Sequence, residues 1–206
     1  MHQRSSAHFS RHERFFADLE CEARSSTCKF SSPAWVIFGG RQQSTTACAA
    51  CGHYIVTHSW FSVLTLALPP QGSCTLGNLF KKYFSTEAIS DSQCEANTCH
   101  GKDVVRKWTE VKIWPNTLVL HMVRWLAGGD KNNAKVTFEM EERVSLAKYK
   151  LMAVCVHTGS PHSGHYVSYT RCNSEWLLSD DSRVKVVTPH EVLNAEPYLL
   201  LYTKLA

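Results

Sequence analysis

Two runs of sequence decide the fold: Ser163-Gly164-His165-Tyr166-Val167-Ser168-Tyr169 and, a few residues later, Trp176-Leu177-Leu178-Ser179-Asp180-Asp181-Ser182. β-branched and aromatic residues dominate both runs, and turn-forming residues separate them, so the sequence predicts a β-hairpin. His165 opens the first strand, just after a glycine that allows backbone or substrate to approach closely. Asp180 lies fifteen positions later, near the end of the second strand.

Two turn placements are compatible with this hairpin. A turn at Cys172-Asn173 places His165 directly opposite Asp180, with their Cβ atoms about 4.5–5.5 Å apart. A turn one residue later places Ser182 opposite His165 and leaves Asp180 as a diagonal neighbour. In either register the carboxylate can reach the imidazole, fix its tautomer and favour its charged form, as the orienting acid of a Cys-His-Asp/Asn or Ser-His-Asp site does. The alternative interpretation is an ordinary cross-strand pair on the surface.

Strand patterns continue on both sides of the hairpin and predict an α+β domain. The predicted strands are Tyr54–Val56, Phe61–Leu68, Thr117–Trp125, Lys135–Leu146, Tyr149–His157, His165–Arg171, Glu175–Val187 and Tyr198–Thr203. Val36-Ile37-Phe38 also suggests a strand, running into a turn at Gly39-Gly40. Helices are predicted over residues 9–22, over Leu76–Phe84, and after Thr188, where Pro189 and Glu191 complete a capping-box pattern.

Length, composition and charge narrow the class of protein. The 206 residues, 44% apolar and 19% charged, suit one globular domain with its own core. A net charge of +4 is too small to indicate nucleic acid as a partner, and the longest apolar run, near Trp60–Leu68, is too short for a membrane span. The first residues lack the apolar core of a signal peptide, so we expect a reducing compartment, cytoplasmic or nuclear.

The nine cysteines are the unusual feature of the composition. Cys48-Ala49-Ala50-Cys51 is followed by a glycine, which is typical of a tight zinc-binding turn. A second pair, Cys94 and Cys99, begins 43 positions after Cys51 with a C-x4-C spacing. Four thiolates in two pairs predict a structural Zn²⁺ site, with His100 as a possible replacement for Cys99. A redox dithiol and purely structural thiols are the alternatives for the first pair.

Taken together, these segments resemble the ubiquitin-specific proteases, the papain-like deubiquitinases. The resemblance extends from about His12 to Lys204, and its order and spacing are specific. The matching segments are His12–Leu19 (a degraded glutamine-box helix), Phe38–Pro69 (the entry to the fingers), Leu118–Trp125 (a hydrophobic strand ending in Arg-aromatic), Tyr149–Tyr166 (the histidine box), Trp176–Val184 and Tyr198–Tyr202.

The resemblance implies a papain-like cysteine protease fold with β-rich fingers and palm. Residues 1–33 would be a residual thumb helix and linker, and residues 34–204 the fingers and palm, with a zinc ribbon at about 44–105 and the histidine box at about 149–204. It implies hydrolysis of isopeptide or peptide bonds at the C-terminal glycine of ubiquitin, with ubiquitin or ubiquitinated proteins as partners. The loops Leu126–Ala134 and His157–Gly164 would flank the groove for ubiquitin's C-terminal tail.

Site residues follow from the same resemblance. His165 would be the general base and Asp180 the acid that orients it, with Asp181 as a helper. Gly164 and Tyr166 would border the substrate. The set Cys48, Cys51, Cys94 and Cys99 would hold the zinc.

The family's nucleophile lies in a Gly-Asn-Thr-Cys-aromatic segment ahead of the glutamine box, and no cysteine precedes His12. The expectation is therefore a truncated thumb, and a chain that is inactive without that segment. A ubiquitin-binding pseudoenzyme is the main alternative. Two weaker ones are a rearranged site with Cys99 as nucleophile and a plain zinc-ribbon interaction domain.

Overall fold

The structure is a computed structural model that describes residues 33–101, 105–126, 129–160 and 163–205. The predicted helix over residues 9–22, and all of the predicted linker except Pro33, lie outside the described residues.

The described residues form short helices and many strands, which agrees with the predicted α+β class. The helices are α1 (Pro33–Phe38), α2 (Leu76–Tyr83) and α3 (Pro189–Leu193). The strands are β1 (Gly40–Cys48), β2 (Tyr54–Phe61), β3 (Val63–Ala67), β4 (Ser73–Thr75), β5 (Glu87–Ala88), β6 (Val105–Ile113), β7 (Thr117–Val123), β8 (Lys135–Thr137), β9 (Glu141–Val144), β10 (Ala147–Gly159), β11 (Gly164–Cys172), β12 (Glu175–Asp180), β13 (Arg183–Val187) and β14 (Leu199–Lys204).

A large sheet carries the predicted hairpin. Its strand order is β13-β12-β11-β10-β14-β7-β3, and β9 also pairs with β10. Only β3 and β7 are parallel neighbours in this order. One face packs against helix α2, whose buried residues Leu76, Leu79 and Phe80 join the core. The hairpin β11–β12 thus projects from a sheet whose centre is buried.

A second sheet, of order β2-β1-β6-β5, forms a long arm. At its far end Ala47 pairs with Tyr54 and Cys48 pairs with Val105, so the end of β1 meets the start of β6. A two-stranded parallel sheet, β4–β8, completes the described topology. No helix formed by the described residues has the length and apolarity that a membrane crossing requires.

One predicted element is wrong in type. Val36-Ile37-Phe38 is helical, not extended, because Pro33 begins a helix whose turn is closed by the Gly39 N–H donating to the Trp35 carbonyl at 2.8 Å. The ring of Trp35 is buried edge-on against Trp60. Gly40 opens strand β1 instead of closing a turn.

Two predicted strands are broken by turns, and four described strands, β1, β4, β5 and β6, were missed, of which β1 and β6 are the long ones. Lys135–Leu146 divides into β8 and β9, and Glu175–Val187 divides at Asp181-Ser182. The missed strands β1 and β6 pair with each other, and β1 also pairs with β2, so their main-chain groups are satisfied by neighbours. Strands held in this way do not need an alternating apolar face.

Helices α2 and α3 both begin after a capping threonine, and the sequence predicts only the cap at Thr188. Helix α2 begins after Thr75, whose hydroxyl accepts from the Asn78 N–H at 3.1 Å. At α3 the Thr188 N–H donates to Glu191 Oε2 at 2.8 Å, and Thr188 Oγ1 accepts from the Glu191 N–H at 3.3 Å. The predicted capping box is confirmed.

Candidate active site

The register of the hairpin is the later of the two predicted ones. Cys172 pairs with Glu175 and Ser168 with Ser179, so Asn173-Ser174 forms the turn. The placement of His165 directly opposite Asp180 is therefore wrong. Asn173 takes a positive φ of 54°, a conformation that asparagine tolerates better than most residues, and this moves the turn by one position.

Asp180 nevertheless reaches the imidazole as a diagonal neighbour. Side chains alternate along a strand, so His165 and Asp180 project from the same face of the sheet. His165 Nε2 lies 2.5 Å from Asp180 Oδ1, and both side chains are 47% exposed. This exposure leaves the pair accessible to a substrate. Because Asp180 occupies Nε2, the other ring nitrogen, Nδ1, is left to face a reacting group.

Asp181 adds a second carboxylate to the pair. It occupies the turn after β12 with a φ of +50°, and one of its oxygens lies within 4.8 Å of the ligand atoms of both His165 and Asp180. The hydrogen bond with Asp180 raises the pKa of His165 above its usual value, and the negative charges of Asp180 and Asp181 raise it further. The arrangement favours the imidazolium form.

Gly164 is required by the packing behind His165. A Cβ at this position would overlap the ring of His157 and the Thr158 carbonyl oxygen. Tyr166 pairs with His157, and its ring lies 4.4 Å from the His157 ring and 6.0 Å from the ring of Tyr198. By alternation Tyr166 projects from the face opposite His165, so its assignment as a substrate-bordering residue stays a prediction.

The end of the arm brings the four predicted cysteines together. Their sulfur atoms all lie within 4.8 Å of one another, with Cys48 Sγ 3.9 Å from Cys99 Sγ and Cys51 Sγ 3.6 Å from Cys94 Sγ. Four sulfurs bound tetrahedrally at about 2.3 Å from one ion would stand about 3.8 Å apart. The cluster has the size of a tetrathiolate metal site.

Local hydrogen bonds shape this cluster. Gly52 donates its N–H to the Cys48 carbonyl at 2.9 Å, and its φ of +75° closes the tight turn. Hydrogen bonding from the Cys51 backbone N–H lowers the pKa of Cys48 to about 7, whereas burial and the neighbouring cysteine side chains raise the pKa values of Cys94 and Cys99. The Ala96 N–H lies 3.4 Å from Cys94 Sγ. The described part of the chain groups these four cysteines without His100, and Cys99 is with them, not beside His165.

Residues 7–202 match the sequence family described as ubiquitin carboxyl-terminal hydrolase. The chain belongs to this family. It is 32% identical to human ubiquitin carboxyl-terminal hydrolase 21 over 184 residues, covering 81% of this chain and 32% of that protein. It is 27% identical to ubiquitin carboxyl-terminal hydrolase 36 of Drosophila melanogaster over 190 residues, covering 84% of this chain and 18% of the relative. The chain thus spans a third or less of these relatives.

Solved structures of the SAGA deubiquitinase module share the fold. The module of Ubp8, Sgf11, Sus1 and Sgf73 bound to ubiquitin aldehyde matches with a TM-score of 0.80 at 20% identity, covering 96% of this chain and 50% of the other. The complex of Ubp8 with monoubiquitin matches with a TM-score of 0.79 at 21% identity, covering 95% and 48%. The predicted papain-like protease fold of this family is confirmed.

The sequence did not predict the contacts that His157 of β10 makes next to the hairpin. Lys131 Nζ donates to the His157 carbonyl at 2.7 Å, and the ring of Trp125 packs edge-on against the His157 ring at 5.4 Å. The sequence gives no direct signal for the Lys131 bond, because a main-chain carbonyl can be the partner of any donor. The positions Trp125 and His157 both fall in segments that resemble the family, and that is the only clue the sequence holds.

Proposed function

We propose that this chain provides the fingers and palm of a thiol-dependent deubiquitinase, which hydrolyses isopeptide or peptide bonds at the C-terminal glycine of ubiquitin. The observation that carries the proposal is the 2.5 Å approach of His165 Nε2 to Asp180 Oδ1, with both side chains exposed to solvent. Family membership supports the reaction class. The SAGA deubiquitinase modules of similar fold are bound to ubiquitin aldehyde or monoubiquitin, which supports ubiquitin as the partner here.

Each residue then has a defined role. Asp180 holds the ring of His165 with Nδ1 directed at a cysteine thiol, and His165 takes the proton of that thiol. The imidazolium, favoured by Asp180 and Asp181, stabilises the thiolate and later gives its proton to the leaving amine. Water then releases ubiquitin from the thioester, with neutral His165 as the base. Gly164 and Tyr166 border the substrate in this proposal.

The cysteine cluster is proposed to hold a structural Zn²⁺. The ligands would be Cys48, Cys51, Cys94 and Cys99, whose sulfur separations fit a tetrahedral ion. Bound zinc would join the turn after β1 to the segment before β6 and so stiffen the end of the arm. Thiols kept reduced for this purpose suit a cytoplasmic or nuclear location.

Hydrolysis of a fluorogenic ubiquitin conjugate by the complete protein tests the proposal. Wild type should release the fluorophore, and His165→Ala should lose at least about a hundredfold in rate because the general base is gone. His190→Ala is a matched control, since His190 is an exposed histidine of helix α3. Equal rates for wild type and His165→Ala would overturn the assigned role.

A ubiquitin-binding pseudoenzyme is the second candidate. In the residues that the structure describes, the titratable cluster around His165 comprises Asp180 and Asp181 and includes no thiol. A ubiquitin probe with a C-terminal thiol trap separates the two functions. Covalent labelling of a cysteine supports the protease, whereas reversible ubiquitin binding without labelling or hydrolysis supports the pseudoenzyme.

A further inference from the structure

Strand β10, which pairs with the strand that carries His165, extends beyond the part of its other edge that β14 covers. The Tyr198 N–H donates to the Cys155 carbonyl of β10 at 2.7 Å, on the side of β14. Carbonyls two positions apart on a strand point to the same edge, so the His157 carbonyl points there too. Strand β14 pairs with β10 only as far as Cys155 and Leu199. The His157 carbonyl thus lies beyond the reach of the β14 ladder.

A lysine side chain takes the place of the missing strand. Lys131 Nζ donates to the His157 carbonyl oxygen at 2.7 Å. The side chain is half-buried, and burial lowers the pKa of its ammonium group. The negative charge of Glu196 partly offsets this by raising the pKa. A charged donor that is partly removed from water makes a stronger hydrogen bond than a neutral one.

The backbone that presents Lys131 is itself fixed. Lys131 forms an antiparallel bridge with Trp125. The next residue, Asn132, donates its N–H to the Arg124 carbonyl at 2.6 Å and accepts from Arg124 Nη1 at 3.0 Å. Asn132 also donates its side-chain amide to the Pro69 carbonyl at 2.8 Å. The ammonium group therefore extends from a rigid base and not from a free loop.

The opposite edge of β10 pairs with β11, the strand that carries His165. His157 pairs with Tyr166, Thr158 with His165, and Gly159 with Gly164. The ring of His157 fills the space next to Gly164. His157 is thus paired with Tyr166 and packed against Gly164, the residues on either side of His165.

We propose that Lys131 is a positioning residue of the candidate active site, which completes the uncovered edge of β10 at His157 and thereby fixes the strand end that carries His165. The catalytic part of this inference rests on the proposed protease function, and the structural part does not. Without the Lys131 donor, the His157 carbonyl loses a charged hydrogen-bond partner, and the pairing of β10 with β11 around His165 opens more often.

The experiment compares Lys131→Met, Lys131→Arg and Lys148→Met in the complete protein. Methionine keeps the length of the side chain without the donor, and arginine restores a charged donor. Lys148 is an exposed lysine at the other end of β10, 3.8 Å from Glu141, and serves as the matched control. Hydrogen exchange is measured on peptides covering residues 155–159 and 164–168, and kcat and KM are measured on a fluorogenic ubiquitin conjugate.

For Lys131→Met we expect about tenfold faster exchange in both peptides, because one charge-assisted bond is lost. We also expect kcat to fall about tenfold, with KM changed by less than about twofold, because His165 is misplaced while the substrate surface remains. Lys131→Arg should restore both values and Lys148→Met should leave both unchanged. A general loss of folding would instead raise exchange throughout the sheet and would not be confined to these peptides.

The two proposals fail in different ways. If wild type does not hydrolyse the conjugate but Lys131→Met accelerates exchange in the two peptides, the protease function is wrong and the support of β10 by Lys131 stands. If wild type is active and Lys131→Met matches it in exchange and in kcat, the positioning role is wrong. An equal loss of kcat in Lys131→Arg and Lys131→Met, without change in exchange, also overturns it.

Discussion

Replacing Arg124 by methionine is the most informative perturbation of the scaffold behind the site. The guanidinium is 1% exposed and makes three hydrogen bonds to main-chain carbonyls. Its Nε donates to the Pro197 carbonyl at 2.8 Å, and its Nη1 donates to the carbonyls of Asn132 at 3.0 Å and Ala134 at 3.1 Å. One side chain thus joins the segment after Lys131 to the chain entering β14.

The magnitude follows from the carbonyls that methionine would leave behind. Each buried acceptor without a partner costs about 1–3 kcal/mol, so three could cost about 6 kcal/mol. Burying the charged guanidinium has its own desolvation cost, and burial accordingly lowers the pKa of Arg124. Methionine is uncharged and removes this desolvation cost, which offsets part of the loss. The balance is a loss of about 3 kcal/mol in the free energy of unfolding, or about 6–12 °C in Tm for a domain of this size.

Urea denaturation followed by circular dichroism measures this loss. Arg124→Lys should recover only part of it, because an ammonium group lacks the planar fork that reaches three carbonyls at once. Arg106→Met, at an exposed position of β6, is the control and should change stability by less than about 0.5 kcal/mol. If Arg124→Met unfolds within about 1 kcal/mol of wild type, the three carbonyls do not depend on the guanidinium and the reasoning fails.

Two further predictions concern the site and the arm. In Asp180→Asn the pKa of His165, read from its ring proton resonances, should fall towards its ordinary value, because a neutral amide replaces the carboxylate whose hydrogen bond and charge raise it. Because the pKa of His165 is raised in the folded state, the pair stabilises the fold fully at pH values below the ordinary histidine pKa. This stabilisation is lost as the pH rises through the pKa of His165 in the folded protein. An unchanged titration of His165 in Asp180→Asn would contradict the pairing. Cys94→Ser should reduce the zinc content measured by atomic absorption and lower Tm, whereas Cys172→Ser, exposed at the end of β11, should do neither.

The pairing of a histidine with an acid could be predicted, but its register could not. Alternation along two strands puts His165 within reach of Asp180 in both registers, so the chemistry is insensitive to a shift of one residue in the turn. The register depends on whether Asn173 begins or ends the turn, and its φ of +54° decides this. Asparagine adopts both positive and negative φ values, so the residue type alone does not choose between them.

The arm illustrates a different limit. Strand β1 presents polar residues on both faces, and its side chains give neither the alternation of a half-buried strand nor the apolar run of a buried one. Its extended form comes from pairing with β2 and β6, which lie far away in the sequence. The cysteine pairs at its end were predictable because metal ligation needs particular side chains, and that need is visible in residue types at fixed spacing.

Support of the hairpin by Lys131 could not be predicted for a third reason. Its partner is the main-chain carbonyl of His157, and every residue type has such a carbonyl. What makes this carbonyl special is that β14 begins at Leu199 and leaves the edge of β10 uncovered beyond Cys155. That boundary depends on where two distant strands meet. The role of Lys131 therefore depends on where β14 begins, almost seventy positions later in the sequence, and this relation is visible only in the three-dimensional structure.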